Sequence, residues 1–268
     1  MVHGRSTALA KLTVGAILTS AWPHLPPGFA SVQSAESRLA QLRRDHRWSL
    51  EELLAQIQRA PRGTQTCVLI DGPQYASNVG SVLRQAAVLQ SPSDVLAAVL
   101  LASSKSSPHS ERSASFPSEK FLKNVVRISL ADRQALRRGA ARLVVSPGDP
   151  RPALRELQRA GYHLVGLENL EACSVPSLPL WSSPLSHSKL CFVAGGEAQS
   201  LSTEILDMCD QQCHIPALNF DMAGTKSERL ELGQESHTPS LNLAHAVVIA
   251  LYERRRQLSL EGSFAPSS

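Results

Sequence analysis

Short apolar runs alternate with amphipathic stretches over most of the chain, and the alternation begins at Thr66. Cys67–Ile70 reads as a buried strand, and Asp94–Leu101, Leu143–Val145, His163–Leu167 and Leu190–Ala194 as further strands. Gly80–Leu89, Pro152–Ala160 and Ser202–Cys209 read as helices, and Leu241–Leu258 as a longer closing helix. Phe121–Ile128 fits either a strand or a helix. Ala131–Arg142, with arginines at 133, 137, 138 and 142, reads as a helix, and His214–Leu218 as a strand. Strands alternating with helices predict an α/β fold, a parallel sheet with helices on both faces.

Before that alternation, Leu39, Leu42, Leu50, Leu53, Leu54 and Ile57 recur at near-helical spacing, and Ser49 ahead of Glu51 and Glu52 marks a helix start. Residues 36–61 are therefore expected to be a helical N-terminal extension of a main domain at 62–258, followed by a tail at 259–268. Ser and Pro dominate an expected surface insertion at 102–118 and recur over Cys173–Ser188, while Asn219–Pro239 reads as a polar loop. Residues 1–35 carry Arg5, Lys11 and many hydroxyl residues, with no acidic residue before Glu36. That is the composition of a mitochondrial transit peptide; a flexible tail on a cytoplasmic protein is the alternative, and Leu12–Trp22 could also pass for a signal-peptide core.

At 43% hydrophobic and 19% charged residues the chain is expected to fold rather than remain disordered. A net charge of +4 and a pI near 8.9 suit a polyanionic partner without requiring one. Nothing approaches the roughly 20 apolar residues of a membrane span, so no membrane is expected. The five cysteines, odd in number and mostly within apolar runs, suggest buried thiols in a reducing compartment. Cys209, Cys213 and His214 have no second Cys/His pair at zinc spacing, so no metal is expected, and the glycine signatures of hydrolases, nucleotidases and dehydrogenases are missing.

Three segments place polar residues where strands hand over to loops or helices, the positions at which parallel sheets bind ligands. The first runs from Asp71 through Asn78 and Gly80 to Arg84. Asn78 can cap the helix, the Gly80 backbone can approach a ligand, and Arg84 lies about two turns on. The second is Ala194, Gly195, Gly196 and Glu197, where glycines allow a sharp turn and a close ligand. The third joins Ile215-Pro216 to Ser240, Leu241 and Asn242, with Ser240 and Asn242 as helix caps.

In this order the three segments resemble the SpoU (TrmH) branch of the SPOUT methyltransferases. Asn78, Gly80 and Arg84 match its Asn-x-Gly-x-x-x-Arg; Gly195, Gly196 and Glu197 match its Gly-x-Glu. Its third motif is matched by Ile215-Pro216, Ser240-Leu241-Asn242 and Leu251-Tyr252-Glu253. The likeness covers about Thr66 to Gln257. It implies a SPOUT-type parallel sheet with a C-terminal trefoil knot and a homodimer whose interface completes the site, a heterodimer with a related subunit being the variant. It also implies methylation of a ribose 2′-hydroxyl in tRNA or rRNA with S-adenosyl-L-methionine.

By the same resemblance Arg84, Asn78, Glu197, Ser240 and Asn242 are the catalytic set. Ala194, Gly195, Gly196, Ile215, Ser240, Leu241 and Asn242 would hold the cofactor. Where the family continues Gly-x-Glu with Gly-x-Gly, this chain has Ala198, Gln199 and Ser200, which puts side chains in a loop that usually has none. The alternative that departure supports is an inactive SpoU-like RNA-binding subunit acting as a ribosome-assembly scaffold; base methylation, as in other SPOUT branches, fits Arg84 less well. RNA is expected to meet the dimer surface and the arginines of Ala131–Arg142 and Arg254–Arg256.

Overall fold

The apolar runs become the strands of one parallel sheet. The computed structural model describes residues 47–60, 63–89, 94–103, 117–129, 141–169, 173, 176–197, 200–216 and 241–263. Its strands are β1 (Arg47–Ser49), β2 (Thr64–Asp71), β3 (Asp94–Ala102), β4 (Arg142–Val145), β5 (His163–Leu167), β6 (Leu178–Pro179), β7 (Lys189–Gly195) and β8 (Gln211–His214). They lie in the order β1-β4-β3-β2-β7-β5-β8-β6, and each described pairing is parallel. The described helices are α1 (Leu50–Arg59), α2 (Ala76–Val88), α3 (Glu119–Ser129), α4 (Pro150–Arg159), α5 (Thr203–Leu206) and α6 (Leu243–Ser263).

Side chains alternate across each strand, so a strand buried on both sides feeds two cores. Val68 and Ile70 of β2 join Phe192 of β7 beneath α2, α3 and α6. Cys67 and Leu69 of the same strand join Cys191, Val193 and Leu164 beneath α1, α4 and α5. Helices therefore cover both faces. Burial also explains the thiols: Cys67 is fully enclosed and its pKa is pushed up to about 12, as is that of Cys209.

Several expectations change. Arg47–Ser49 is a strand, not part of a helical extension, and it pairs with β4 while the Arg142 guanidinium lies 4.9 Å from the Trp48 ring centre. Three residues are too few to show a period of two. Ser49 does start the next helix: its hydroxyl accepts from Glu52 N, and the Glu52 carboxylate accepts from Ser49 N. Glu119–Ser129 resolves as a helix. The strand expected at His214–Leu218 sits earlier, at Gln211–His214, since Pro216 has no N–H to give a ladder. β6 interrupts the Ser/Pro-rich stretch after Cys173, and α6 runs on to Ser263 because Leu258–Glu261 are good helix formers. The transit-peptide reading of 1–35, most of the 102–118 insertion, the helix over Ala131–Arg142 up to residue 140, Ala198, Gln199, the loop Asn219–Pro239 and Ser240 lie outside the described residues. No described helix is long and apolar enough to cross a membrane.

Arg254 is 1% exposed. Its Nε donates to Thr66 Oγ1 at 2.9 Å, one terminal nitrogen to Gln65 O at 3.3 Å and the other to Leu185 O. It ties α6 to the start of β2 and cannot serve as an RNA contact; Arg256 is exposed but paired with Glu253 at 2.7 Å. Arg254→Ala would strand these acceptors and leave a cavity, so the urea midpoint should fall by the equivalent of about 3 kcal/mol. An unchanged midpoint would show that this contact is dispensable.

At the same end of the sheet, the His163 and His187 rings stack with centroids 3.9 Å apart. Burial, then the facing His187, lowers the His163 pKa against the opposing pull of Asp210 and Gln211. The folded pKa is depressed, so the unfolded chain protonates first. Stability is then full above roughly pH 6.5 and declines as the pH falls below it. Between pH 7 and 5 the urea midpoint of His163→Phe should decline less steeply than that of the unsubstituted protein; equal slopes would exclude His163.

Candidate active site

The order of strands reverses direction between β2 and β7, which makes their carboxyl ends the natural place for a ligand. Asp71 at the end of β2 stands beside Gly195 at the end of β7, and the loops beyond them touch. Gly72 turns with φ of 66°, and a Cβ on Gly196 would overlap its carbonyl. The approach of the Gly72 backbone by itself requires glycine at 196. Glu197 locks the crossing by accepting hydrogen bonds from Gln74 N at 2.7 Å and Asn78 Nδ2 at 2.6 Å.

From Glu197 a relay runs across the site. Asn78 Oδ1 accepts from Asn242 Nδ2 at 3.3 Å, and Asn242 Oδ1 accepts from Ala244 N at 2.9 Å, capping α6. An ionised carboxylate can only accept and a backbone N–H can only donate. Both amides between them are therefore held in one orientation. The relay draws together one residue from each of the three sequence segments.

Two readings of the first segment do not hold. α2 begins at Ala76 after Tyr75, so Asn78 lies inside the first turn and its side chain is taken by Glu197 instead of capping. Gly80 serves packing: a Cβ there would stand 2.7 Å from Ile128 Cβ and 3.0 Å from Val125 O, so glycine lets α2 and α3 approach. Arg84 lies outside the relay, about 9 Å along α2 from Asn78. Its Nε is buried without a partner, and among the described residues it forms no ion pair.

The remaining candidates line the same edge. Ala194 is buried, Ile215 follows β8 and packs against the core, and Leu241 is 44% exposed just before α6. β5 separates β7 from β8, so their ends stand about 10 Å apart, two strand spacings. Directly after β5, between these two ends, stands Glu168, which the sequence reading missed. Its one signal was a carboxylate directly after a buried strand.

Solved RNA methyltransferases have similar structures. An rRNA methyltransferase from Sinorhizobium meliloti gives a TM-score of 0.51 at 18% identity, over 78% of this chain and 60% of that one. The SpoU methyltransferase AviRb from Streptomyces viridochromogenes, in complex with AdoMet, gives 0.48 at 23% identity over 75% and 63%. A TrmH/SpoU tRNA modifying enzyme from A. aeolicus gives 0.47 at 19% identity over 81% and 89%. The chain spans less than two thirds of the first two. No family model matches the chain, and no curated protein does. The S. meliloti likeness establishes a shared fold.

If Glu197 is the clamp, Glu197→Gln must turn an amide N–H toward either Gln74 N or Asn78 Nδ2, donor against donor. Urea unfolding should show a loss of about 1–3 kcal/mol. A midpoint equal to that of the unsubstituted protein would mean that the carboxylate does not hold the loops.

Proposed function

We propose that the chain is an S-adenosyl-L-methionine-dependent RNA methyltransferase of the SpoU kind, acting on a ribose 2′-hydroxyl of tRNA or rRNA. The observation that carries this reading is the relay Glu197–Asn78–Asn242. It joins the three segments that match the family's motifs at the switch point of a sheet whose fold an rRNA methyltransferase shares.

A ribose hydroxyl is a weak nucleophile whose proton must leave as the new bond forms. Arg84 cannot take that proton, since a guanidinium stays protonated, so the proton passes to water or to an oxygen of the neighbouring RNA phosphate. The role of Arg84 is to stabilise the developing alkoxide; among the described residues no carboxylate pairs with it, and its Nε has no hydrogen-bond partner. Asn78 uses one N–H and one lone pair in the relay; its second N–H and lone pair can orient the ribose or Arg84.

The bound cofactor would supply the methyl group from its sulfonium. Backbone groups at Ala194, Gly195, Gly196, Ile215 and Leu241, beside Ser240 and Asn242, would hold it. The exposed Leu241 would offer an apolar surface to the adenine. A trefoil knot beyond β7 belongs to the same reading. So does a homodimer or a heterodimer with a related subunit, supported by Ile249 and Tyr252, which lie exposed on one face of α6.

The second reading, an inactive RNA-binding scaffold, is favoured by Ala198, Gln199 and Ser200 in place of the family's glycines. Calorimetry with S-adenosyl-L-methionine separates the two: a folded protein that binds RNA but no cofactor would leave only the scaffold. Mapping the product after incubation with total RNA tests the chemistry, and a methylated base with an untouched ribose would refute it. Arg84→Ala should lower methyl transfer at least about 100-fold with cofactor affinity kept. Full activity in that variant would remove Arg84 from the mechanism.

A further inference from the structure

We infer that Glu168 is a positioning residue for the cofactor site, acting by fixing the far end of the loop after β7; this rests on the functional reading above. The near end of that loop is fixed by Gly196 against Gly72 and by Glu197. The far end is Leu201, whose side chain is buried in the core under α4 and α5. Its N–H donates to Glu168 Oε2 at 2.8 Å. The other carboxylate oxygen accepts from Asn169 N at 2.9 Å, and the Glu168 N–H donates to Cys213 O at 3.1 Å.

Glu168 therefore joins three segments: the end of β5, the loop that leaves β7, and β8 just before Ile215. The groups proposed to hold the cofactor lie on the second and third of these, one on each side of β5. Packing alone seats the Leu201 side chain but leaves the direction of its amide free to rotate. The carboxylate fixes that direction.

The test uses the full chain, calorimetry with S-adenosylhomocysteine, and two variants. Glu168→Asp keeps the charge and the bond to Asn169 but is one methylene too short for Leu201. Glu168→Gln keeps the length and one acceptor oxygen, which can stay on Leu201 N while its amide nitrogen faces Asn169 N; it should therefore lose stability but keep the far end of the loop in place. The expected result is about tenfold weaker binding by Glu168→Asp, as for the loss of one charge-assisted hydrogen bond, with Glu168→Gln within about threefold of the unsubstituted protein. In ligand-free Glu168→Asp the Leu201 amide should exchange its hydrogen faster. Steady-state kinetics should show KM for S-adenosyl-L-methionine raised and kcat kept.

Binding by Glu168→Asp equal to that of the unsubstituted protein would overturn the inference alone. So would failure of Glu168→Asp to fold, or an equal loss in both variants, since either would make the residue merely structural. If the unsubstituted protein binds no S-adenosylhomocysteine, the proposed function falls and takes this role with it.

Discussion

The close passage of Gly196 over the Gly72 carbonyl is the constraint on which the rest of the site depends. No side chain separates the two backbones, so the loops after β2 and β7 have no slack between them. The Glu197 carboxylate converts that steric approach into a directed one, because it answers a backbone N–H and an amide from the neighbouring loop together. Once Glu197 is placed, Asn78 can present its oxygen only toward Asn242, and Asn242 can present its oxygen only to the first turn of α6.

α6 is held at two distant points. Asn242 binds its beginning to the site. Arg254, about 18 Å further along, binds it to the first residues of β2 beneath the opposite edge of the sheet. Between these points Val247, Ala250 and Leu251 pack into the same core as Val68 and Phe192. The helix is therefore a strut spanning the sheet from one end of its central strand to the other, and tilting it would disturb both ends together.

The sheet was legible because its strands are apolar on both faces and bounded by polar residues, as β5 and β7 are. The site was legible only through the order of its motifs. Asn78 looked like a helix cap and Gly80 like a ligand contact, since a residue type reveals a chemical capacity and not the neighbour that uses it. Gly80 proved to serve α3, and Asn78 to serve Glu197, 119 residues away. Arg254 read as one of a basic group because the burial of a charge depends on which carbonyls the fold gathers around it. Strand β1 and Glu168 stayed hidden for a related reason: three residues carry no periodicity, and a lone carboxylate after a strand does not say what it will hold.

The sequence separations within this architecture bear on how the protein is made. β2 receives β3 as a neighbour within some thirty residues, but β7, on its other side, emerges from the ribosome only after another ninety. Arg254, which answers the Gln65 carbonyl and the Thr66 hydroxyl, comes 189 and 188 residues after them. For most of translation the central strand thus has one edge unpaired and much of one apolar face uncovered. Such segments favour association with other nascent chains. The span from Gly72 to Gly196 is then a long window in which synthesis outruns structure.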